Sequence, residues 1–285
     1  PMSYSPDTGY VYIPALDMPY GYGNEPEFTY EEGRWNLAND WRLNMPSGDK
    51  GVDDKVDGLL RGFVSAWDPV AQKEVWRIQH AGTWNGGMLS THGNLLFQGN
   101  SSGRFAAYRA DTGEELWSAP AQTGILAPPV SYEIDGEQYV TVVAGWGGAF
   151  ALTAAAAEGY NLKPRGRILT YKLKGEVELP PVVDIAAVLP ELPPIDATNE
   201  EIAHGKFMYH KYCGVCHGPG VRSGGVLPDL RYTKLHMVFE DIVLGGILKE
   251  RGMVSFAGSL TKEDSRSVHQ YIISEAHRLK SRTLD

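Results

Sequence analysis

The sequence predicts two structural classes in one chain: an all-β portion over residues 1–174 and a small all-α domain over residues 198–285. Three observations carry this. The first portion is made of short β-like runs broken by Gly, Asn, Asp and Pro, with no long helical period. Two of its segments repeat without gaps. The second portion has helical spacing on either side of the chain's only two cysteines.

The repeat is explicit. Ala66-Trp67-Asp68-Pro69-Val70-Ala71-Gln72-Lys73-Glu74-Val75-Trp76 aligns with Ala107-Tyr108-Arg109-Ala110-Asp111-Thr112-Gly113-Glu114-Glu115-Leu116-Trp117. Both begin with Ala and an aromatic residue. Both carry Glu at the ninth place, then an aliphatic residue and a closing Trp. The spacing of 41 residues is the length of a β-propeller blade. Tyr4-Ser5-Pro6-Asp7-Thr8-Gly9 is a third, partial copy that matches Tyr108 to Gly113 and lacks the Trp. Asp-Thr-Gly makes a tight turn, and the Trp is expected to pack between neighbouring blades.

Two further hairpins are expected. Leu89-Ser90-Thr91 and Leu95-Leu96-Phe97 flank His92-Gly93-Asn94. Val130–Ile134 and Gln138–Val143 flank Asp135-Gly136, a strong two-residue turn signal. Blades of about 40 residues give three to four in this portion, at or below the usual lower limit for closure. The portion therefore reads as the closing blades of a larger propeller. From 175 to 197 the chain carries Pro180-Pro181, Pro190 and Pro193-Pro194. Such a stretch is an extended, semi-rigid linker.

Beyond the linker, Glu200 to Tyr212 reads as a helix and leads into Cys213-Gly214-Val215-Cys216-His217. This C-x-x-C-H is the attachment signature of a c-type haem. Two thiols add across the two vinyl groups of one porphyrin, and the adjacent His reaches the iron. A zinc site or a redox dithiol is the other reading. Zinc needs further ligands, for which only His204 and His210 lie near. A redox dithiol follows a strand, not a helix.

An electron-carrying haem iron commonly takes a Met as its second axial ligand. Met253 lies in Arg251-Gly252-Met253-Val254-Ser255-Phe256, a turn-like segment before a closing helix over Lys262–Lys280. Met237 lies in the apolar run Leu235 to Leu244, which reads as a helix packed into a core. Met253 is the favoured ligand. Pro228 offers either a carbonyl for the free ring N–H of His217 or a plain turn. The order helix, haem motif, loop, helix, Met loop, helix is that of an all-α class I cytochrome c.

Bulk properties set bounds. A formal charge of −9 argues against a nucleic-acid partner. No apolar run reaches the length of a membrane span. The sequence starts without a signal peptide. Haem c is attached outside the bacterial cytoplasm, so a periplasmic location and a processed or incomplete chain are expected.

The motifs together resemble the C-terminal part of the PQQ-dependent quinohaemoprotein alcohol dehydrogenases. They are Pro1 to Gly9 with Val11-Tyr12-Ile13-Pro14, Trp84-Asn85-Gly86-Gly87, Gly93 to Gly99, Gly145 to Ala149, Cys213 to His217 and Gly252-Met253. The resemblance implies an eight-bladed propeller of tryptophan-docking repeats holding PQQ and Ca²⁺ near its axis, with a fused cytochrome c. It implies that Trp84, Asn85, Trp146, Gly147 and Ala149 line the PQQ pocket, although ordinary propeller packing would also use such residues. It implies Cys213 and Cys216 as covalent haem anchors, with His217 and Met253 on the iron. The family's calcium ligands, catalytic aspartate and vicinal disulfide lie upstream, so no catalytic residue is expected in this chain. The family usually reads Gly-Met-Pro, and Val254 stands where the Pro would be, which points to a less rigid loop.

On this resemblance an alcohol gives up a hydride equivalent to PQQ beside Ca²⁺, with an aspartate as base. Electrons then pass singly to the haem and on to a copper protein, another cytochrome or a quinone. The upstream propeller portion is an expected partner, as a separate fragment. The short tail after the last helix favours a soluble form. Two other readings stand: an electron carrier with a β-rich docking module and no catalysis, and another haem–propeller oxidoreductase. In the latter the cytochrome normally precedes the propeller.

Overall fold

A computed structural model describes residues 1–30, 36–40, 43, 50–147, 165–182 and 188–282. They divide into two compact units. One is built from residues 1–19, 50–147 and 165–182, the other from 20–30, 36–40, 43 and 188–282. The segment 20–30, which the sequence reading ran into the β portion, thus belongs to the second unit. None of the described helices is long and apolar enough to cross a membrane.

The first unit contains three antiparallel sheets among its described residues. Strands β1 (Ser3–Ser5), β2 (Tyr10–Asp17), β3 (Arg61–Asp68) and β4 (Lys73–His80) form the first, in that order. A short helix α1 (Lys50–Asp57) lies between β2 and β3, in a stretch where no helix was expected. Strands β5 (Asn85–Thr91), β6 (Leu95–Asn100), β7 (Arg104–Arg109) and β8 (Glu115–Pro120) form the second. Strands β9 (Val130–Ile134), β10 (Glu137–Ala144) and β11 (Arg167–Lys172) form the third. The architecture is β-rich and propeller-like.

Both expected hairpins are present. Thr91 pairs with Leu95 across His92-Gly93-Asn94. Ile134 pairs with Glu137 across Asp135 and Gly136, which have φ of 52° and 80°. Two left-handed residues in succession give the turn twist that suits a two-residue hairpin. The partial copy Tyr4–Gly9 makes the turn of the β1–β2 hairpin. Gly9 N donates to Ser5 O at 2.9 Å, as Gly113 N donates to Arg109 O at 2.8 Å at the matching place of the full copy.

The two full copies share a defect as well as a pattern. Ala66 pairs with Trp76 but Trp67 with Glu74, so Val75 is the extra residue of a β-bulge. Ala107 pairs with Trp117 and Tyr108 with Glu115, so Leu116 is the extra residue at the same repeat position. The aliphatic residue before each Trp is the bulge.

The closing Trp docks on the next sheet, as expected. Trp76 Nε1 donates to the carbonyl of Ala110 at 3.2 Å. The hydroxyl of the wholly buried Tyr12 donates to the same carbonyl at 2.9 Å. Gly113, at φ 76°, lies under the indole, where a Cβ would come within 2.8 Å of Trp76 Cε3. Trp117 repeats the motif at the third sheet, edge-on to Tyr171 at 5.1 Å, while Phe105 stacks on Tyr171 at 5.2 Å. Such aromatic pairs add roughly 0.5–1.5 kcal/mol beyond their buried area.

The second unit is mainly helical. Helix α2 (Asn199–Tyr212) starts on a capping box: Glu201 N donates to Thr198 Oγ1, and Thr198 N to Glu201 Oε2. Helix α3 (Gly214–His217) follows at once. Helix α4 (Phe239–Val243) and the long helix α5 (Lys262–Arg282) complete the set. Tyr209, Tyr212, Val221, Val243, Val268, Tyr271 and Ile272 form the core. Gly205 lets α2 close on α5, its Cα facing the backbone of Ser267.

The run Leu235–Leu244 is not one core helix. A single 3₁₀ turn (His236–Val238) breaks into α4 at Val238, whose φ and ψ are −117° and 18°. Ile242 and Val243 are buried, whereas Met237 is 96% exposed. A 3₁₀ turn places side chains three apart in line, so only part of the run can face inward.

The same region holds a histidine pair. His236 Nδ1 and His269 Nε2 share a proton position at 2.9 Å, and Phe239 stacks on His269 at 4.3 Å. Burial, helped by His236, pushes His269 down to about 4. Between that value and the ordinary histidine range the unfolded chain binds more protons than the folded one. Stability therefore rises with pH across this window. We expect the melting temperature to fall as pH drops from about 6.5 towards 4, with His269→Phe flattening the dependence. Thermal melts at stepped pH check this; a slope unchanged in the variant would clear His269 of the effect.

Candidate functional site

The C-x-x-C-H segment is set by the end of α2. Cys213 N donates to Tyr209 O at 2.7 Å, closing that helix, and His217 N donates to Cys213 O at 2.9 Å, closing α3. Gly218 then turns the chain at φ 81°, where a Cβ would lie 1.8 Å from Arg222 O. Cys213 is buried and Cys216 exposed. One turn of helix therefore presents two thiols and an imidazole from a single short stretch.

His217 is buried, and its Nδ1 lies 2.9 Å from the carbonyl of Pro228. A carbonyl only accepts, so Nδ1 carries the proton and Nε2 keeps a lone pair for a ligand. Burial lowers the pKa of His217, against the smaller pull of Pro228 and Asp229. The neutral ring that a metal requires is thus favoured. Of the two readings of Pro228, the structure supports the carbonyl acceptor.

Met253 packs against the cluster that contains Cys213 and Tyr209. Gly252, left-handed at φ 90°, delivers it. The loop is tied down on both sides: Met253 N donates to Leu248 O at 3.2 Å, and Phe256 N to Val243 O at 2.8 Å. Ser255 Oγ donates to Leu244 O. These bonds supply rigidity that a proline at 254 would otherwise give.

The zinc reading loses its ligands. His210 Nδ1 donates to Lys206 O at 2.8 Å and its Nε2 accepts from Gly220 N at 3.1 Å. His204 is paired with Asp264 at 2.7 Å. Among the described residues, no group of three or more His, Cys, Asp or Glu stands together to hold a metal ion. Two thiols, a singly protonated imidazole and a thioether are the groups that a covalently attached haem would need.

The second group of site residues is on the first unit. Trp146 is 5% exposed and lies over Gly124, where a Cβ would come 2.7 Å from the indole. With Val143, Gly145, Gly147, Arg165 and Gly166 it lines a cavity of about 370 Å³. The lining is mainly apolar, and an indole in such a wall suits a flat ring system. Trp84 and Asn85 do not line this cavity. Gly86, next to Asn85, faces Ala127, which does line it. Ala149 lies outside the described residues.

Sequence reasoning missed two things. Strand β11 (Arg167–Lys172), which pairs with the 130–143 hairpin in the third sheet, went unread. The buried amide of Gln98, 2% exposed, also escaped notice. Its signal was a polar residue in inward phase with Leu96 on β6.

Residues 61–140 match the family described as "PQQ: Glucose/ethanol/alcohol dehydrogenase, beta-propeller domain". The chain is 41% identical over 284 residues to "Quinohemoprotein alcohol dehydrogenase ADH IIB" of Pseudomonas putida, covering 97% of this chain and 39% of that protein. It is 36% identical over 285 residues to "1-butanol dehydrogenase (cytochrome c)" of Thauera butanivorans, covering 98% and 40%. A solved structure of quinohemoprotein alcohol dehydrogenase ADHIIG from Pseudomonas putida HK5 superposes with a TM-score of 0.85 at 42% identity, covering 99% of this chain and 41% of the other. The chain thus spans about two fifths of the length of the curated relatives it matches.

Proposed function

Since this chain belongs with the quinohaemoprotein alcohol dehydrogenases along nearly its whole length, we propose that it forms part of an enzyme oxidising alcohols to aldehydes. Residues 1–174, apart from the segment 20–30 that groups with the second unit, would be closing blades of an eight-bladed PQQ-binding propeller, 175–197 the linker and 198–285 the cytochrome c domain. The observation that carries this reading is the C-x-x-C-H turn with His217 Nδ1 committed to Pro228 O, so that Nε2 alone is left to bind iron. The similarity runs through both units, which a carrier with an unrelated docking module does not account for.

PQQ supplies two-electron chemistry to such an enzyme and the haem supplies one-electron transfer, as cofactors rather than side chains do in redox enzymes. The chain's own residues bind and orient. Cys213 and Cys216 would hold the haem covalently, and His217 Nε2 and Met253 Sδ would bind its iron. Pro228 O fixes the imidazole plane. Tyr209, wholly buried, donates to Gly218 O at 2.9 Å and keeps water from the turn after the motif. Trp146 and Gly147 would form one wall for PQQ, with Trp84 at another edge. The calcium ligands and catalytic aspartate belong to the upstream propeller portion, outside these residues. A periplasmic location, an alcohol substrate and an acceptor that is a copper protein, cytochrome or quinone go with this reading.

The test is spectroscopic. Dithionite-reduced protein is expected to show c-type haem bands that stay with the polypeptide after acid–acetone extraction. Haem that extracts into the solvent, or a thiol count of two in the purified protein, overturns the assignment.

A further inference from the structure

A buried polar chain joins the first two sheets. Asn85 Nδ2 donates to the carbonyls of Ala15 at 3.0 Å and Thr83 at 3.4 Å. Two carbonyls fix that end of the amide as the NH₂, so Oδ1 faces Gln98 and accepts from its Nε2 at 2.8 Å. Gln98 Nε2 also donates to Gly86 O at 3.0 Å. Gln98 Oε1 must then accept, and it lies 2.8 Å from His80 Nε2. The proton of His80 therefore sits on Nε2. Every partner in the chain is determined by its neighbour.

This chain grips one turn. Gly82 and Thr83 lie with their carbonyl oxygens where a Cβ on Gly62 would come within 2.3 and 2.2 Å. Trp84 O accepts from Ser101 N at 3.2 Å. Thr83 is 1% exposed. Both amide hydrogens of Asn85 are spent on protein carbonyls, so Asn85 is a strut and not a donor to a ligand. A leucine at 98 would leave Asn85 Oδ1, Gly86 O and the Nε2–H of His80 without this partner. A fully bonded buried amide specifies geometry instead.

We propose that Gln98 is a positioning residue that, through Asn85, sets the Thr83–Trp84 turn in the form that receives the quinone cofactor. This rests on the function proposed above, because that reading puts Trp84 at the cofactor. Gln98 itself touches no cofactor.

The test uses the full-length enzyme, made without quinone in a host that does not synthesise it and then titrated with PQQ. Quenching of tryptophan fluorescence reports binding. Gln98→Leu is expected to weaken PQQ binding on the order of tenfold, as a displaced positioning element does, with the haem spectrum unchanged. Asn85→Asp keeps the acceptor for Gln98 but loses both donors, and is expected to weaken binding similarly. The double variant is expected to be no weaker than the weaker single, because both act on one turn. Additive losses would mean that Asn85 meets the cofactor directly, and overturn the proposal. So would binding by Gln98→Leu within about twofold of wild type. Should Gln98→Leu not fold, unchanged affinity in Asn85→Asp overturns it alone. Wild-type protein that binds no PQQ would overturn the proposed function, and this inference with it.

Discussion

Replacing Gly205 by alanine is expected to destabilise the second unit by about 2 kcal/mol or more. The added Cβ would lie 2.0 Å from Ser267 O, 2.4 Å from Ser267 C and 3.1 Å from Tyr271 Cβ. The first two are backbone atoms of α5, so no side chain can rotate away. Relief requires α2 and α5 to separate, which loosens Tyr209 against Tyr271, now 5.5 Å apart. Helix propensity acts the other way, since alanine in place of a mid-helix glycine favours the helix by about 1 kcal/mol. Overpacking against backbone outweighs that gain. Urea unfolding followed by far-ultraviolet dichroism measures the balance. An unchanged midpoint would mean that the two helices slide apart at little cost.

Met253→Ala is expected to remove the weak red absorption band of thioether–iron ligation completely and to lower the reduction potential, since the thioether favours the reduced iron. Met237→Ala is expected to leave both untouched. The contrast follows from position. Met253 stands in the cluster of Cys213 and Tyr209, while Met237 is 96% exposed on a separate turn. Loss of the band in Met237→Ala, with Met253→Ala normal, would reverse the ligand assignment.

Much of this was legible in the residues. The C-x-x-C-H, the closing helix and the Asp135-Gly136 hairpin are local signals, each carried by a few adjacent residues. The paired repeats were legible because a docking Trp needs the same neighbours each time. What escaped depends on distance. Met237 looks apolar, but a break at Val238 turns it outward. Asn85 resembles a ligand contact until Gln98 and Ala15 are brought to it from other strands.

The bulges at Val75 and Leu116 have a consequence for change in this chain. Each indole stands opposite an Ala of the partner strand, Ala66 or Ala107, and directly opposed residues share a face. The bulge takes up one extra residue locally without changing that pairing. The docking face is therefore held by the Ala–Trp pair, and the number of residues between turn and tryptophan can differ by one without turning the indole away.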